Sequence, residues 1–328
     1  MHRRSVVIGM VLAGAISCAP AQWLAYRDPK TPRTKDGKPN LSAPAPRASN
    51  GRPDLSGVWQ TEPSPPDEMT RLFPDLGDIV LLGDDPRTFS KYFLNILADF
   101  KPEEAPIRPE AAALSEPRMK NLGKDSPTSH CLPLGITQAE GIGDPFPYKI
   151  VQTPGLIMVL YEGDGMHRQI YTDGRKHTRD PEPSWLGYSV GRWEADTLVV
   201  DTVGLNDKSW LDASGHPHSE ALHLTERFQR RDFGHMDLQI TVEDPKMYTR
   251  PFTIKYTQRL LPDTDILESV CTENEKDRAQ LDRAYERAIV VGKGKTAQPD
   301  SDHNSGLKST VSVIFSTAEH VDRIPLRR

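Results

Sequence analysis

The chain has 328 residues, with 41 Lys and Arg against 46 Asp and Glu, a formal charge of −5 and a mean hydropathy of −0.57. That length admits one large domain or two ordinary ones, and the slight acidity argues against a nucleic-acid binder, which needs clustered Lys and Arg to neutralise phosphates. The 5 Trp, 9 Tyr and 9 Phe exclude a simply disordered chain, while 23 Gly and 29 Pro predict many turns.

Residues 1–21 read as a signal peptide. A basic start (His2, Arg3, Arg4) precedes an apolar run over 6–16 and small residues ending Ala19-Pro20-Ala21. The run is too short to span a bilayer, so the pattern predicts a periplasmic or secreted protein. Cys18, in Ala15-Ile16-Ser17-Cys18, resembles a lipoprotein box and offers lipid attachment as the alternative processing. No other segment approaches transmembrane length. Export would place Cys131 and Cys271 in an oxidising compartment, where a disulfide between them is the leading reading. A reactive thiol and a metal ligand are the alternatives, and no Cys-x-x-Cys or Cys–His spacing supports metal.

Residues 22–53 are rich in Pro, Lys, Arg, Ser and Asn and read as a linker or a surface strap. The folded part opens at Asp54-Leu55-Ser56-Gly57-Val58-Trp59 with a short strand. Residues 60–146 read as a helical and loop insertion. Asp85 followed by Pro86 fits a helix start, and Phe89, Phe93, Ile96, Leu97 and Phe100 share one helical face. A second, weaker helix is expected over 110–114.

From Tyr148 the period changes to two. Strands are predicted over 148–153, 156–162, 167–172, 185–190, 197–203, 221–231, 235–243, 252–261 and 266–271. Turn signals separate them: Pro154-Gly155, Gly163-Asp164-Gly165, Asp173-Gly174, Asp232-Phe233-Gly234 and Pro262-Asp263. With the Gly57-Val58-Trp59 strand this makes about ten, and short connections predict an antiparallel β-barrel. A capping box at Thr272-Glu273-Asn274-Glu275 opens a C-terminal helix over about 273–291, and 309–316 alternates like one more strand.

The chemistry-bearing candidates cluster in two places. The connection 204–220 carries Asn206, Trp210, His216, His218 and Glu220, is longer than a usual hairpin loop, and is followed by His223. His216-Pro217-His218 resembles the His-x-His of a cupin metal site, so His216, His218 and His223 are the candidate ligands of a divalent metal. The plainer reading is a polar loop whose histidines cap turns, and no cofactor is predicted. In the second cluster, His167, Gln169, Tyr171 and Asp173 share one strand face while Arg168, Ile170 and Thr172 share the other. One of the two sets must face a barrel interior. Asp201 could orient a histidine base, although a surface ion pair is the commoner fate of such a residue. Gly294-Lys295-Thr296 ends like a phosphate-binding loop, but Ile289 stands where that motif needs glycine. No Gly-x-Ser-x-Gly, His-Glu-x-x-His or paired-carboxylate signature stands out.

The segments DLSGVW (54–59), RQIYTDGR (168–175), WLGYSVGRWEADTLVVDTVGLND (185–207), HSEALHLTERFQRRDFG (218–234) and VEDPKMYTRPF (242–252) resemble a largely uncharacterised family of exported proteins of acidobacteria and proteobacteria. The resemblance covers most of 54–275 and implies a signal peptide and a β-rich body, without an activity. Ala195 stands where that family's Trp-Glu-Gly-Asp turn has glycine. Gly57-Val58-Trp59 is also similar to the lipocalin signature.

The expected architecture is therefore one lipocalin-like antiparallel barrel over 54–328, with the helical insertion and the C-terminal helix. The leading functional expectation is an exported pocket protein for a small organic ligand, with Trp185, Asn206, Trp210, His216 and Glu220 lining the mouth. The rival is a hydrolase or lyase in the same pocket, with His218 or His223 as base, Asp201 as orienter, and Arg168 and Tyr171 stabilising negative charge. A structural envelope or interaction module is the third reading.

Overall fold

The computed structural model describes residues 27–72, 89–121, 124–141 and 146–272. The predicted leader with Cys18, the helix start at Asp85-Pro86, the C-terminal helix at 273–291 and the strand at 309–316 lie outside these residues. Nine strands close into one barrel: β1 (Gly57–Thr61), β2 (Tyr148–Thr153), β3 (Leu156–Tyr161), β4 (His167–Tyr171), β5 (Tyr188–Glu194), β6 (Thr197–Val203), β7 (His223–Arg230), β8 (His235–Glu243) and β9 (Phe252–Leu260).

Alternating apolar residues dictate these strands, because successive side chains on a pleated chain point to opposite faces. On β8, Met236, Leu238, Ile240 and Val242 are buried, while His235, Asp237, Gln239 and Thr241 between them are half-exposed. The facing strand β9 buries Phe252, Ile254, Tyr256, Gln258 and Leu260 in the same rhythm. Each strand pairs with its neighbour in sequence, and β1 joins the two ends of the sheet: Trp59 lies opposite Tyr148 on β2 and Leu260 on β9. Closure leaves no sheet edge unpaired. The interior is filled by Trp59, Tyr148, Phe228 and their aliphatic neighbours, all fully buried.

The barrel differs from the expectation in three ways. It has nine strands rather than about ten. Residues 266–271 form no strand, because β1 already occupies the free edge of β9. That segment lies instead along the outside of the barrel, where Leu267 donates its N–H to Glu162 and the nearby Asp265 pairs with Lys149. Second, the barrel is mixed: β4 and β5 run parallel, with Ile170 opposite Ser189 and Tyr171 opposite Val190. Asp173-Gly174 does turn the chain, but residues 172–187 carry it back to the end from which β4 started. Third, β5 begins at Tyr188 rather than 185. Gly187, at φ +61°, breaks the extended backbone just before it, and the hairpin turn at Ala195-Asp196 sets the β5–β6 register, with Glu194 opposite Thr197.

Among the described residues the insertion holds four α-helices: α1 (Pro66–Leu72), α2 (Lys91–Leu94), α3 (Pro109–Lys120) and α4 (Ile136–Ala139). The helix predicted through Phe89–Phe100 shrinks to α2, capped at its start by Ser90. Asn95 leaves it with extended backbone at φ −151°, and the Ile96 N–H is taken by the Asp212 carboxylate at 2.6 Å. Its apolar stripe is buried all the same, as Phe93, Ile96 and Leu97. The segment expected to be the weaker helix becomes the longest, α3, opened by Pro109 at its first position.

Residues 27–53 run over the barrel as a strap. Arg33 pairs with Asp263 and Arg47 with Asp196, and Phe233 and Gly234 donate to the carbonyls of Ala43 and Leu41. The strap thereby helps close one end of the barrel, where the Arg230 guanidinium donates to the carbonyls of Asp54, Ser56, Asp232 and Phe233. Cys131 and Cys271 form a disulfide. No helix among the described residues is long and apolar enough to cross a membrane.

Candidate functional site at the plugged end of the barrel

The opposite end is closed by α4 and the connection 204–222. The hydroxyl of Thr137 donates to the Leu211 carbonyl at 2.7 Å, and the Gln138 amide donates to the Trp210 carbonyl at 2.7 Å. From the barrel side, Tyr256 donates to the Thr137 carbonyl, and Thr61 and Gln258 both donate to the Glu140 carbonyl. These bonds seat a single helical turn in the barrel end and place the Glu140 side chain, 1% exposed, in the interior.

There Glu140 meets an arginine. Arg168 lies on the inward face of β4 with Ile170 and is 2% exposed. All five of its N–H donors are used. Nε donates to Ser189 Oγ at 3.0 Å. Nη1 donates to Glu140 Oε1 at 2.9 Å and Glu226 Oε1 at 2.8 Å, and Nη2 donates to Thr202 Oγ1 at 2.8 Å and to the second oxygen of Glu226. Glu226 thus clasps the guanidinium with both oxygens, the strongest pairing a carboxylate offers. Burial opposes the Arg168 charge, but Glu226 and then Glu140 override it and raise its pKa well above the ordinary value.

Glu140 is the weaker partner. Burial first, and the charge of Glu226 second, push its carboxyl up to about 8, against the pull of Arg168 and Tyr161. At neutral pH it therefore holds its proton. Oε1 accepts from Arg168 and from the Tyr161 hydroxyl at 2.7 Å, and a side-chain hydrogen bond with Glu226 adds to the upward push on the carboxyl. Oε2 is buried and has no hydrogen-bond partner among the described residues; the same is true of the Tyr148 hydroxyl. Burial, followed by the charges of Glu140 and Glu226, raises the Tyr148 pKa and keeps that phenol protonated. A site whose other members are fully paired thus presents two unpartnered oxygens, Glu140 Oε2 and the Tyr148 hydroxyl. Leaving such groups without partners costs roughly 1–3 kcal/mol each.

No protein-family model, curated protein or solved structure matches this chain. The site is therefore read from its own chemistry.

The outer layer of the plugged end holds the loop histidines. His216 Nδ1 lies 2.5 Å from Asp212, which is fully buried and also binds the backbone N–H groups of Ile96 and His216. Burial works against the His216 charge, but the Asp212 carboxylate raises its pKa above the ordinary value. His218 Nε2 lies 2.7 Å from Ser209 Oγ, and Nδ1 faces the Ser219 carbonyl at 3.3 Å. Here burial dominates and lowers the imidazole pKa. Trp210 is buried beneath the Arg118 guanidinium, 4.9 Å from its ring, and Asn206 accepts the Lys208 N–H.

The other expected residues lie elsewhere. His223 and Asp201 do approach, at 3.4 Å, but on the outward face of β6 and β7. Asp201 pairs there with Arg192 and accepts from Thr225, so the surface ion pair prevails over a buried orienting role. Tyr171 is half-exposed beside Tyr188 and stacks under Arg175 at 3.8 Å. Glu220 is exposed and Trp185 half-buried. His216, His218 and His223 thus face three different partners, and among the described residues no three His, Cys, Asp or Glu side chains gather as a metal site.

Ser209, Tyr148 and Glu140 were not among the expected site residues. Glu226, between Leu224 and Phe228 on the inward face, carried a readable signal: a charge on an apolar stripe. Glu140, in a coil-like Gln-Ala-Glu-Gly run, carried none.

Proposed function

We propose that this chain is an exported small-molecule-binding barrel whose binding groups are the Glu140 carboxyl and the Tyr148 hydroxyl. The observation that carries this reading is the pair of buried, unpartnered oxygens inside an otherwise satisfied polar network. The chemistry of the pair restricts the occupant. A protonated carboxyl and a phenol each donate or accept, so the fitting partner is an uncharged hydroxyl, carbonyl or amide group. A nine-strand barrel has room for packed side chains plus at most a small guest, and the apolar filling here favours a guest of few heavy atoms. Entry requires α4 to lift from the 204–222 connection, breaking the hydrogen bonds of Thr137 and Gln138. The leader-like start of the sequence and the Cys131–Cys271 disulfide support an exported, oxidised setting.

Thermal denaturation of the full chain with a panel of small uncharged alcohols, ketones and amides tests the reading. A molecule that binds only the folded barrel stabilises it by about 2.7 kcal/mol at a hundred times its Kd. Wild type should respond to at least one compound, and Tyr148→Phe and Glu140→Leu, each of which removes one of the two groups, should respond less. Equal responses in all three proteins would refute the assignment.

A further inference from the structure

We propose that Ser209 and His218 form a nucleophile–base pair that hydrolyses esters, at a second site on the outer side of α4 and independent of the interior binding groups. The geometry is that of an activated serine. Ser209 Oγ lies 2.7 Å from Nε2 of His218, within the range for proton transfer to a general base. The far nitrogen, Nδ1, faces the Ser219 carbonyl at 3.3 Å, which fixes the tautomer with the proton on Nδ1 and leaves Nε2 to accept from Oγ. Ser219 is itself held, because Asp244 accepts both its N–H at 2.6 Å and its hydroxyl at 2.9 Å. The base is therefore oriented by a backbone carbonyl that a buried carboxylate fixes in place.

Two neighbours complete the arrangement. Gly135 crosses directly over the serine, where an added Cβ would stand 2.8 Å from Ser209 Oγ; Ser209 and His218 are each 3% exposed, so a substrate reaches the hydroxyl only when α4 lifts from the connection 204–222. Arg118 stacks on Trp210, the residue after the nucleophile, donates to the Gly215 carbonyl, and forms no ion pair among the described residues. Its positive charge is felt at His218 and would favour negative charge developing on an acyl oxygen nearby.

In the first half-reaction Oγ bonds to the acyl carbon of the ester while its proton passes to Nε2. The carbon–oxygen bond to the alcohol then breaks, and the departing oxygen takes that proton from Nε2. In the second, water attacks the acyl carbon, gives a proton to Nε2, and the proton returns to Oγ as the serine leaves. The balance is ester plus water giving acid plus alcohol, with His218 neutral at the start and end of each half.

The test is covalent labelling of the full chain with a fluorophosphonate, read by intact mass and peptide mapping. Wild type should gain one adduct, on Ser209, and Ser209→Ala none. His218→Ala should slow labelling at least about 100-fold, the ordinary contribution of a general base. Gly135→Ala, which pushes Oγ away from Nε2, should slow it as well. Should His218→Ala fail to fold, wild type alone still decides. Its labelling rate should rise through one ionisation below 6.5, since burial, with the Arg118 charge, outweighs the hydrogen bond to the Ser219 carbonyl and the pull of Asp244 and Asp207 on His218. No adduct on folded wild type, or an adduct whose rate ignores His218 and that ionisation, would overturn the proposal.

Discussion

At the scale of single residues, Arg168 is a buried charge whose every donor is used. It sits between the Glu226 carboxylate and the protonated Glu140 inside an apolar barrel, and burying this pair of charges is tolerable only because every guanidinium donor is met. Arg168→Met would leave Glu140 and Glu226 buried without their common partner. The expected loss is about 3–5 kcal/mol in urea unfolding, the usual result of breaking a buried pair from one side. A loss under about 1 kcal/mol would show that the cluster is not the keystone its geometry suggests. Ala195 makes the opposite case. It turns the β5–β6 hairpin at φ +50°, the left-handed region that disfavours a Cβ. Ala195→Gly should therefore stabilise the chain by roughly 0.5–1 kcal/mol. The Trp-Glu-Ala-Asp sequence marks a turn, but the positive φ that favours glycine at its third position is visible only in the structure.

At the scale of elements, α4 is a plug defined by what it inserts. Burial raises the Glu140 carboxyl from an ordinary 4.5 to about 8, so the folded chain binds one more proton than the unfolded chain between those values. Stability must then fall as pH rises across that window, with the protonated form's advantage complete below about 4.5 and gone above about 8. Glu140→Gln, which mimics the protonated acid, should flatten this part of the profile. Urea midpoints at several pH values would show it, and an unchanged slope would place the proton elsewhere. Strands were the most legible elements, because alternation over β6 to β9 states both their existence and their inward face. Arg168 was likewise separable from Tyr171 by period alone. The direction of β5 and the end of α2 were not legible. Both depend on distant partners: the loop 172–187 in one case, and Asp212 reaching Ile96 in the other. The sequence pattern also placed His216, His218 and His223 close together in the chain. It could not show that the strand start at His223 turns its side chain to the outer wall.

At the scale of the whole molecule, closure explains most of the organisation. Because β1 seals β9 to β2, the segment after β9 has no strand to join and runs along the outside of the barrel to Cys271. The disulfide to Cys131 then ties that segment to the stretch leading into α4, across a sequence separation of 140. One end of the barrel is closed by Arg230 and the strap; the other is closed by a short turn that carries a protonated acid inward and covers a serine–histidine pair outward. Functional groups gather where closure relies on hydrogen-bonded loops rather than on a continuous sheet, which is where a packed barrel can still open. The most direct test of the binding account is a crystal structure of the wild-type chain at about 1.5 Å, refined with Glu140 and Tyr148 free of restraints between them. The account predicts a bound molecule within hydrogen-bond distance of both Glu140 Oε2 and the Tyr148 hydroxyl. A direct hydrogen bond between those two oxygens, with nothing lodged between them, would contradict it.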